Sequence, residues 1–216
     1  MQHAPFIVLE GIDGAGTTTH TARLASALRA QGVSVHPTRE PSDGPIGVLL
    51  RQILTGRLIS PSAHGPKAPS FSTLGLLFAA DRLDHLDVEV LPKLARGVTV
   101  VSDRYDYSTV AYQSLSARGV DGAVAWLRGL NHFARRPELT IVLDVPHEVA
   151  RKRRMSRAGS EELFDDDALQ RELAAFYAHI EEHFPGDRIV HIAADRDLQV
   201  VGAEVLSAAL SVIEGR

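Results

Sequence analysis

Short runs of aliphatic and β-branched residues recur along the chain at Phe6–Leu9, Val33–Pro37, Val98–Ser102, Leu139–Leu143 and Arg188–Ile192. Each reads as a strand. Four of the five carry no charged residue, the pattern of strands covered on both faces. Between them, apolar positions repeat with helical period over Thr19–Gln31, Ile46–Thr55, Thr73–Leu94, Val120–His132, Pro146–Met155, Asp167–His183 and Gln199–Ile213. Pro146 suits a first helical turn, where its missing N–H costs nothing. This alternation predicts an α/β fold, a five-stranded parallel sheet with helices on both faces. Neither an internal repeat nor an interdomain linker interrupts it, so residues 1–216 are expected to form one domain. Ser60–Ser70, rich in Pro, Gly and Ser, reads as a surface loop.

The first strand runs into Gly11-Ile12-Asp13-Gly14-Ala15-Gly16-Thr17-Thr18, followed by a helix. Strand, glycine-rich turn and helix N-terminus make an anion site from orphan amides and the helix dipole. The spacing matches the phosphate loop G-x-x-x-x-G-K-[ST], whose final hydroxyl binds Mg²⁺. Thr18 supplies that hydroxyl, but Thr17 stands where the lysine belongs. A glycine turn without a ligand is the plainer alternative.

Composition narrows the possibilities. Charged residues make up 23% and hydrophobic ones 44%, ordinary for a globular chain. The net charge of −4 gives no general attraction to nucleic acid or anionic membrane, so any basic site is local. With no cysteine, disulfides and thiolate metal sites are excluded, which fits a reducing cytoplasm. Neither a signal-peptide pattern at Met1–Pro5 nor an apolar run of about 20 residues is present, and a cytoplasmic protein is expected. Lysine occurs only at positions 67, 93 and 152, while arginine is abundant, a bias that suggests genome composition.

Other constellations sit at strand ends. Arg39, in Thr38-Arg39-Glu40-Pro41, points toward the phosphate-loop crevice or forms a solvated pair with Glu40. Asp103-Arg104-Tyr105 follows the third strand, where an acidic group can hold Mg²⁺ and an arginine fork can bridge two phosphates; a structural ion pair is the alternative. Phe78 and Arg82 share a helix face and could stack a base and bind its phosphate, or Phe78 is core. Arg151, Lys152, Arg153, Arg154 and Arg157 end a helix as a solvated basic face or as a phosphate-covering lid over approximately 151–167.

Taken in order, these segments resemble the thymidylate kinase family. The resemblance runs from Phe6–Gly16 through Thr38–Pro41, Leu77–Arg82, Asp103–Tyr105, Ser108, Ala111–Gln113 and Leu143–Val145 to the basic run. It implies a P-loop nucleoside monophosphate kinase fold, transfer of a phosphoryl group from ATP to dTMP with Mg²⁺, and a homodimer without nucleic-acid or membrane partners. The helices at Thr73–Leu94 and Val120–His132 could supply the dimer interface or only core.

The resemblance also implies roles. Gly11, Asp13, Gly14, Ala15, Gly16, Thr17, Thr18 and Thr19 would bind the ATP phosphates, with Thr18 and Asp103 at the metal. Asp13 would meet the dTMP 3′-hydroxyl or the metal network, and Arg39 the dTMP phosphate, with Arg51 near the acceptor site. Phe78 would stack on thymine while Arg82 and Thr109 address its edge, Arg82 donating to a base oxygen. Tyr112 would crowd the 2′ position, Ser108 belongs to the same set, and Gln113 would add a base or sugar contact. Arg104 would lie between donor and acceptor phosphates. Gly14 with an arginine-rich lid is similar to the bacterial type, in which lid residues, here Arg151, Arg153, Arg154 and Arg157, supply the catalytic cation; Arg153 and Arg157 are the choices carried forward with Arg104 and Asp13.

Thr17 departs from the pattern. It can donate a hydrogen bond but brings no charge, and loss of one such electrostatic group costs about 10²–10³ in rate. Two other readings therefore stand beside the kinase: a nucleotide-binding module with little turnover, and a kinase for another deoxynucleoside monophosphate.

Overall fold

The computed structural model of the chain describes residues 4–59, 68–156, 164 and 166–215. Five parallel strands stand in the order β2-β3-β1-β4-β5, with β1 Phe6–Glu10, β2 Val35–Arg39, β3 Thr99–Asp103, β4 Leu139–Asp144 and β5 Ile189–Ala193. All five expected strands are present, displaced toward their carboxyl ends by one or two residues at most. In β1 and β3 every residue is buried, so both faces of the sheet centre are covered by helices. Absence of charge in the expected run Val33–Pro37 suggested the same for β2, yet β2 is mostly half-exposed. It ends the strand order, and an edge strand is covered less completely than a central one.

The helices are α1 Thr17–Ala30, α2 Pro45–Leu54, α3 Phe71–His85, α4 Leu91–Ala95, α5 Asp106–Ser116, α6 Ala123–Leu130, α7 His147–Met155, α8 Asp167–Tyr177 and α9 Leu198–Ile213. The expected helix over Thr73–Leu94 is split by a π-helical turn at Leu86–Val90, which brings Glu89 within 2.7 Å of His36 on β2. Pro146 is the N-cap of α7 rather than its first helical residue. Helix α8 gives way to a 3₁₀ turn at Ile180–His183, earlier than the sequence suggested. Residues 60–67 of the expected surface loop, and 157–163 and 165 of the expected lid, lie outside the described residues. No helix among the described residues is long and apolar enough to cross a membrane.

Helix α5 was absent from the sequence reading. Its aromatic and β-branched stretch Tyr107, Thr109, Val110 and Tyr112 has weak helix propensity. Tertiary burial overrides that, since Tyr107, Val110 and Ala111 are wholly buried against the sheet side of the core. Phe6 of β1 meets Tyr105 edge-on at 5.0 Å, tying the start of this helix to the central strand.

Parallel register sends Glu10, Arg39, Asp103, Asp144 and Ala193 to the same edge of the sheet. Ligands of open α/β sheets bind there.

Candidate active site

The loop between β1 and α1 has the backbone that anion binding needs. Gly16, the N-cap of α1, is left-handed with φ 100° and provides no side-chain cap. The first-turn amides of Thr17, Thr18 and Thr19 are thereby left to an incoming anion. Thr17 is buried, while Thr18 and Thr19 are exposed. Thr18 Oγ1 donates to Asp103 Oδ2 at 2.5 Å, and Asp103 Oδ1 is buried with no partner among the described residues. Two oxygen ligands from different elements, one lacking a partner, fit a hard divalent cation.

Helix α7 packs directly on this loop. A Cβ at Gly14, where φ is 91°, would lie 2.5 Å from the Ala150 carbonyl oxygen. That closeness brings the basic side chains to the loop. Arg153 Nη1 lies 3.4 Å from the carbonyl oxygens of both Gly14 and Ala15, and its Nη2 donates to the Ala194 carbonyl at 2.9 Å. Arg154 donates to the Asp13 carbonyl at 2.8 Å. Arg151 points instead toward Asp167, 3.5 Å away, with its side chain 56% exposed. Arg157 lies outside the described residues.

Arg104 joins the loop to the neighbouring pocket. Its backbone has φ 73°, the one non-glycine residue with positive φ among those described. Its guanidinium donates to Gly11 O (3.0 Å), Ser108 Oγ (3.0 Å) and Asp13 Oδ1 (2.6 Å). Gln170 on α8 holds the other Asp13 oxygen at 2.8 Å. Below them lies Glu10, fully buried, and burial pushes its carboxyl up to about 7 against the pull of Arg104 and its own hydrogen bonds.

The pocket beside Arg104 collects most of the expected acceptor residues. Asp13, Phe78, Arg82, Ser108, Thr109, Tyr112 and Gln113 all line it, with Glu40, Pro41 and Phe164. Phe164 meets Tyr112 edge-on at 5.2 Å. Gln113 is buried, and neither its oxygen nor its nitrogen has a partner among the described residues. Arg82 lies within a buried hydrogen-bond network. Its terminal nitrogens are already engaged by Asn131 (2.5 Å), Glu40 (2.7 Å) and Thr109 (3.0 Å), so only Nε remains unpaired. A terminal-nitrogen contact to a base oxygen would require breaking a buried ion pair.

Arg39 and Arg51 are outside this lining. Arg39 donates to Asp43 at 2.8 Å with its side chain largely exposed; Arg51 holds the carbonyls of Pro41 and Ser42 at 2.8 and 2.6 Å. Arg51 thus shapes the loop that carries Pro41 into the pocket wall. Sequence reasoning missed Glu10, Asn131 and Gln170, and it treated Glu40 only as a partner for Arg39. A carboxylate closing or following an apolar strand was the available signal for Glu10 and Glu40; nothing local marks Asn131 or Gln170.

The thymidylate kinase family model matches residues 9–205. The chain belongs to the thymidylate kinase family. It is therefore a nucleoside monophosphate kinase by kinship. A protein of Thermococcus kodakarensis described as "Probable thymidylate kinase" is 39% identical over 202 residues, covering 94% of this chain and 95% of the relative. Another of that description from Pyrococcus horikoshii is 41% identical over 186 residues, covering 86% and 87%. The "Thymidylate kinase" of Thermomicrobium roseum is 39% identical over 198 residues, covering 90% and 83%. The expected P-loop kinase fold, with its parallel sheet flanked by helices, agrees with this kinship.

Proposed function

We propose that the chain transfers the γ-phosphoryl group of ATP to dTMP, giving ADP and dTDP. The observation that carries the acceptor side is the unpaired Gln113 amide, buried in a pocket with the unpaired Nε of Arg82. Together they offer two donor nitrogens and one acceptor oxygen, the complement of a pyrimidine's hydrogen-bonding edge. Because a glutamine amide can present either end, thymine and cytosine both satisfy that count. The choice of thymine rests on the family. Phe78 supplies an apolar wall for the ring, and Tyr112 fills the space beside the sugar.

A dTMP phosphate oxygen, ionised at neutral pH, attacks the γ-phosphorus as its bond to the β-bridging oxygen breaks, and ADP leaves with that electron pair. No general base is needed. Catalysis is then positioning and charge neutralisation. Amides of the loop hold the ATP phosphates, and Arg104, fixed between Gly11 and Asp13, faces both nucleotides. We assign the cation missing at Thr17 to Arg153, which already reaches the loop carbonyls from α7. Thr18 and Asp103 would hold Mg²⁺, which when bound neutralises charge on the ATP phosphates. The module without turnover gains no support from relatives that carry the kinase description.

The same reading makes the protein a cytoplasmic homodimer of one domain, with residues near 151–167 as its lid. Support for the dimer comes from exposed apolar side chains on neighbouring helices: Val48 and Leu49 on α2, and Leu76 and Leu83 on α3, continuing to Val88 and Leu91. A coupled assay of ADP formation with ATP, Mg²⁺ and dTMP, beside dUMP, dCMP, dGMP and AMP, tests the function. Turnover fastest with dTMP is expected; preference for dCMP would reassign the acceptor, and nucleotide binding without turnover would restore the module.

A further inference from the structure

Glu10 is the last residue of β1 and has no exposed surface, yet no step of the phosphoryl transfer uses it. Four donors converge on its carboxylate. The amides of Tyr105 (2.7 Å) and Ser108 (3.3 Å) bond Oε1, and the hydroxyls of Ser108 (2.6 Å) and Tyr177 (2.8 Å) bond Oε2. These come from the turn after β3, from α5 and from α8. Around it stand Arg104, Asp13, Tyr112 and Tyr177 as the other titratable groups near the carboxyl and its neighbours.

The hydroxyl of Ser108 has one proton. With that proton directed at Glu10, a lone pair faces Arg104 Nη1, 3.0 Å away. The amide bonds act on the same target by another route. They cap the start of α5, where the main chain leaves Arg104 in its left-handed conformation. Backbone and side chain of Arg104 are thus both constrained from one buried carboxylate.

We propose that Glu10 is a positioning residue for phosphoryl transfer, holding Arg104 between the two nucleotides through Ser108 and the first turn of α5. This rests on the kinase reading above and deepens it. Four hydrogen bonds meeting on one buried carboxyl act as a network, so their loss is felt at the group they orient.

The test compares wild type with Glu10→Gln and Ser108→Ala in the ADP-release assay. In both variants kcat is expected to fall about tenfold or more with a distinctly smaller rise in KM for dTMP, since Arg104 is displaced while Phe78, Arg82, Thr109 and Gln113 of the same pocket are unchanged. A merely structural role would lower stability and leave kcat per folded molecule unchanged; that result overturns the proposal. Should Glu10→Gln fail to fold, Ser108→Ala decides alone, because it keeps the carboxylate and removes only the bridge. A second readout is independent of turnover. Arginine side-chain NMR, assigned with Arg104→Lys, is expected to show the Arg104 Nε resonance shifted or broadened in Ser108→Ala. An unchanged resonance overturns the positioning role even where the acceptor is not dTMP, whereas a wild type inactive on dTMP refutes only the acceptor assignment.

Discussion

Nη1 of Arg153, on α7, lies 3.4 Å from the carbonyl oxygen of Gly14 in the phosphate loop. No other described arginine of the basic run touches both Gly14 and Ala15. Replacing it by alanine is expected to lower kcat by about 10²–10³, the usual effect of removing one well-placed electrostatic group. Arg151→Ala, whose side chain is exposed beside Asp167, is expected to stay within about threefold of wild type. Equal effects of the two substitutions in the ADP-release assay would refute the assignment.

Restoring the lysine gives a sharper version of that test. Thr17→Lys brings a cation to the N-terminus of α1, where the loop amides gather. If Arg153 does the lysine's work, the two cations are partly redundant, and Arg153→Ala should cost less than about tenfold in the Thr17→Lys background. Equal losses from Arg153→Ala in the wild-type and Thr17→Lys backgrounds would mean that the two groups act separately.

Close packing of α7 against the loop makes Gly14 intolerant of any side chain. Gly14→Ala would force a Cβ to within 2.5 Å of the Ala150 carbonyl at a φ of 91°. Backbone strain alone costs roughly 1–3 kcal/mol. A lowered denaturation midpoint is expected, together with reduced kcat as α7 and Arg153 move away. Unchanged stability would show that α7 yields without cost.

At the carboxyl end of β4, His191 on β5 lies 2.9 Å from Asp144 and 3.3 Å from Glu181. The hydrogen bond to Asp144 is the main influence holding its pKa above the ordinary 6.5. A raised histidine pKa adds stability that is complete below the unfolded value and disappears as pH rises through the folded one. Thermal denaturation of His191→Gln should therefore show a larger deficit against wild type at pH 6 than at pH 9. The same deficit at both values would rule out the charged pair.

Much of this was legible in the chain because it depends on local pattern. Apolar runs located all five strands, and spacing located the loop from Gly11 to Thr18. Phe78, Arg82, Thr109 and Gln113 were readable as a group from the family resemblance, and they do line one pocket. What escaped depends on tertiary context. Helix α5 forms against its own propensity because the core takes its aromatic and branched residues. Partners of Arg82 come from Glu40 and Asn131, 42 and 49 residues away, so sequence could not reveal that two of its nitrogens were committed. Gln170, 157 residues from Asp13, is equally invisible to local reasoning.

The left-handed backbone at Arg104 sets two demands on one position against each other. Glycine or asparagine would sit at φ 73° with less strain, but neither carries the guanidinium that reaches Gly11, Ser108 and Asp13. Selection for thermal endurance alone would drift toward the smaller residues there and stall the reaction. Selection for turnover keeps the arginine and leaves the fold to absorb the strain, so the penalty falls once, during folding, and is not repeated in each catalytic cycle.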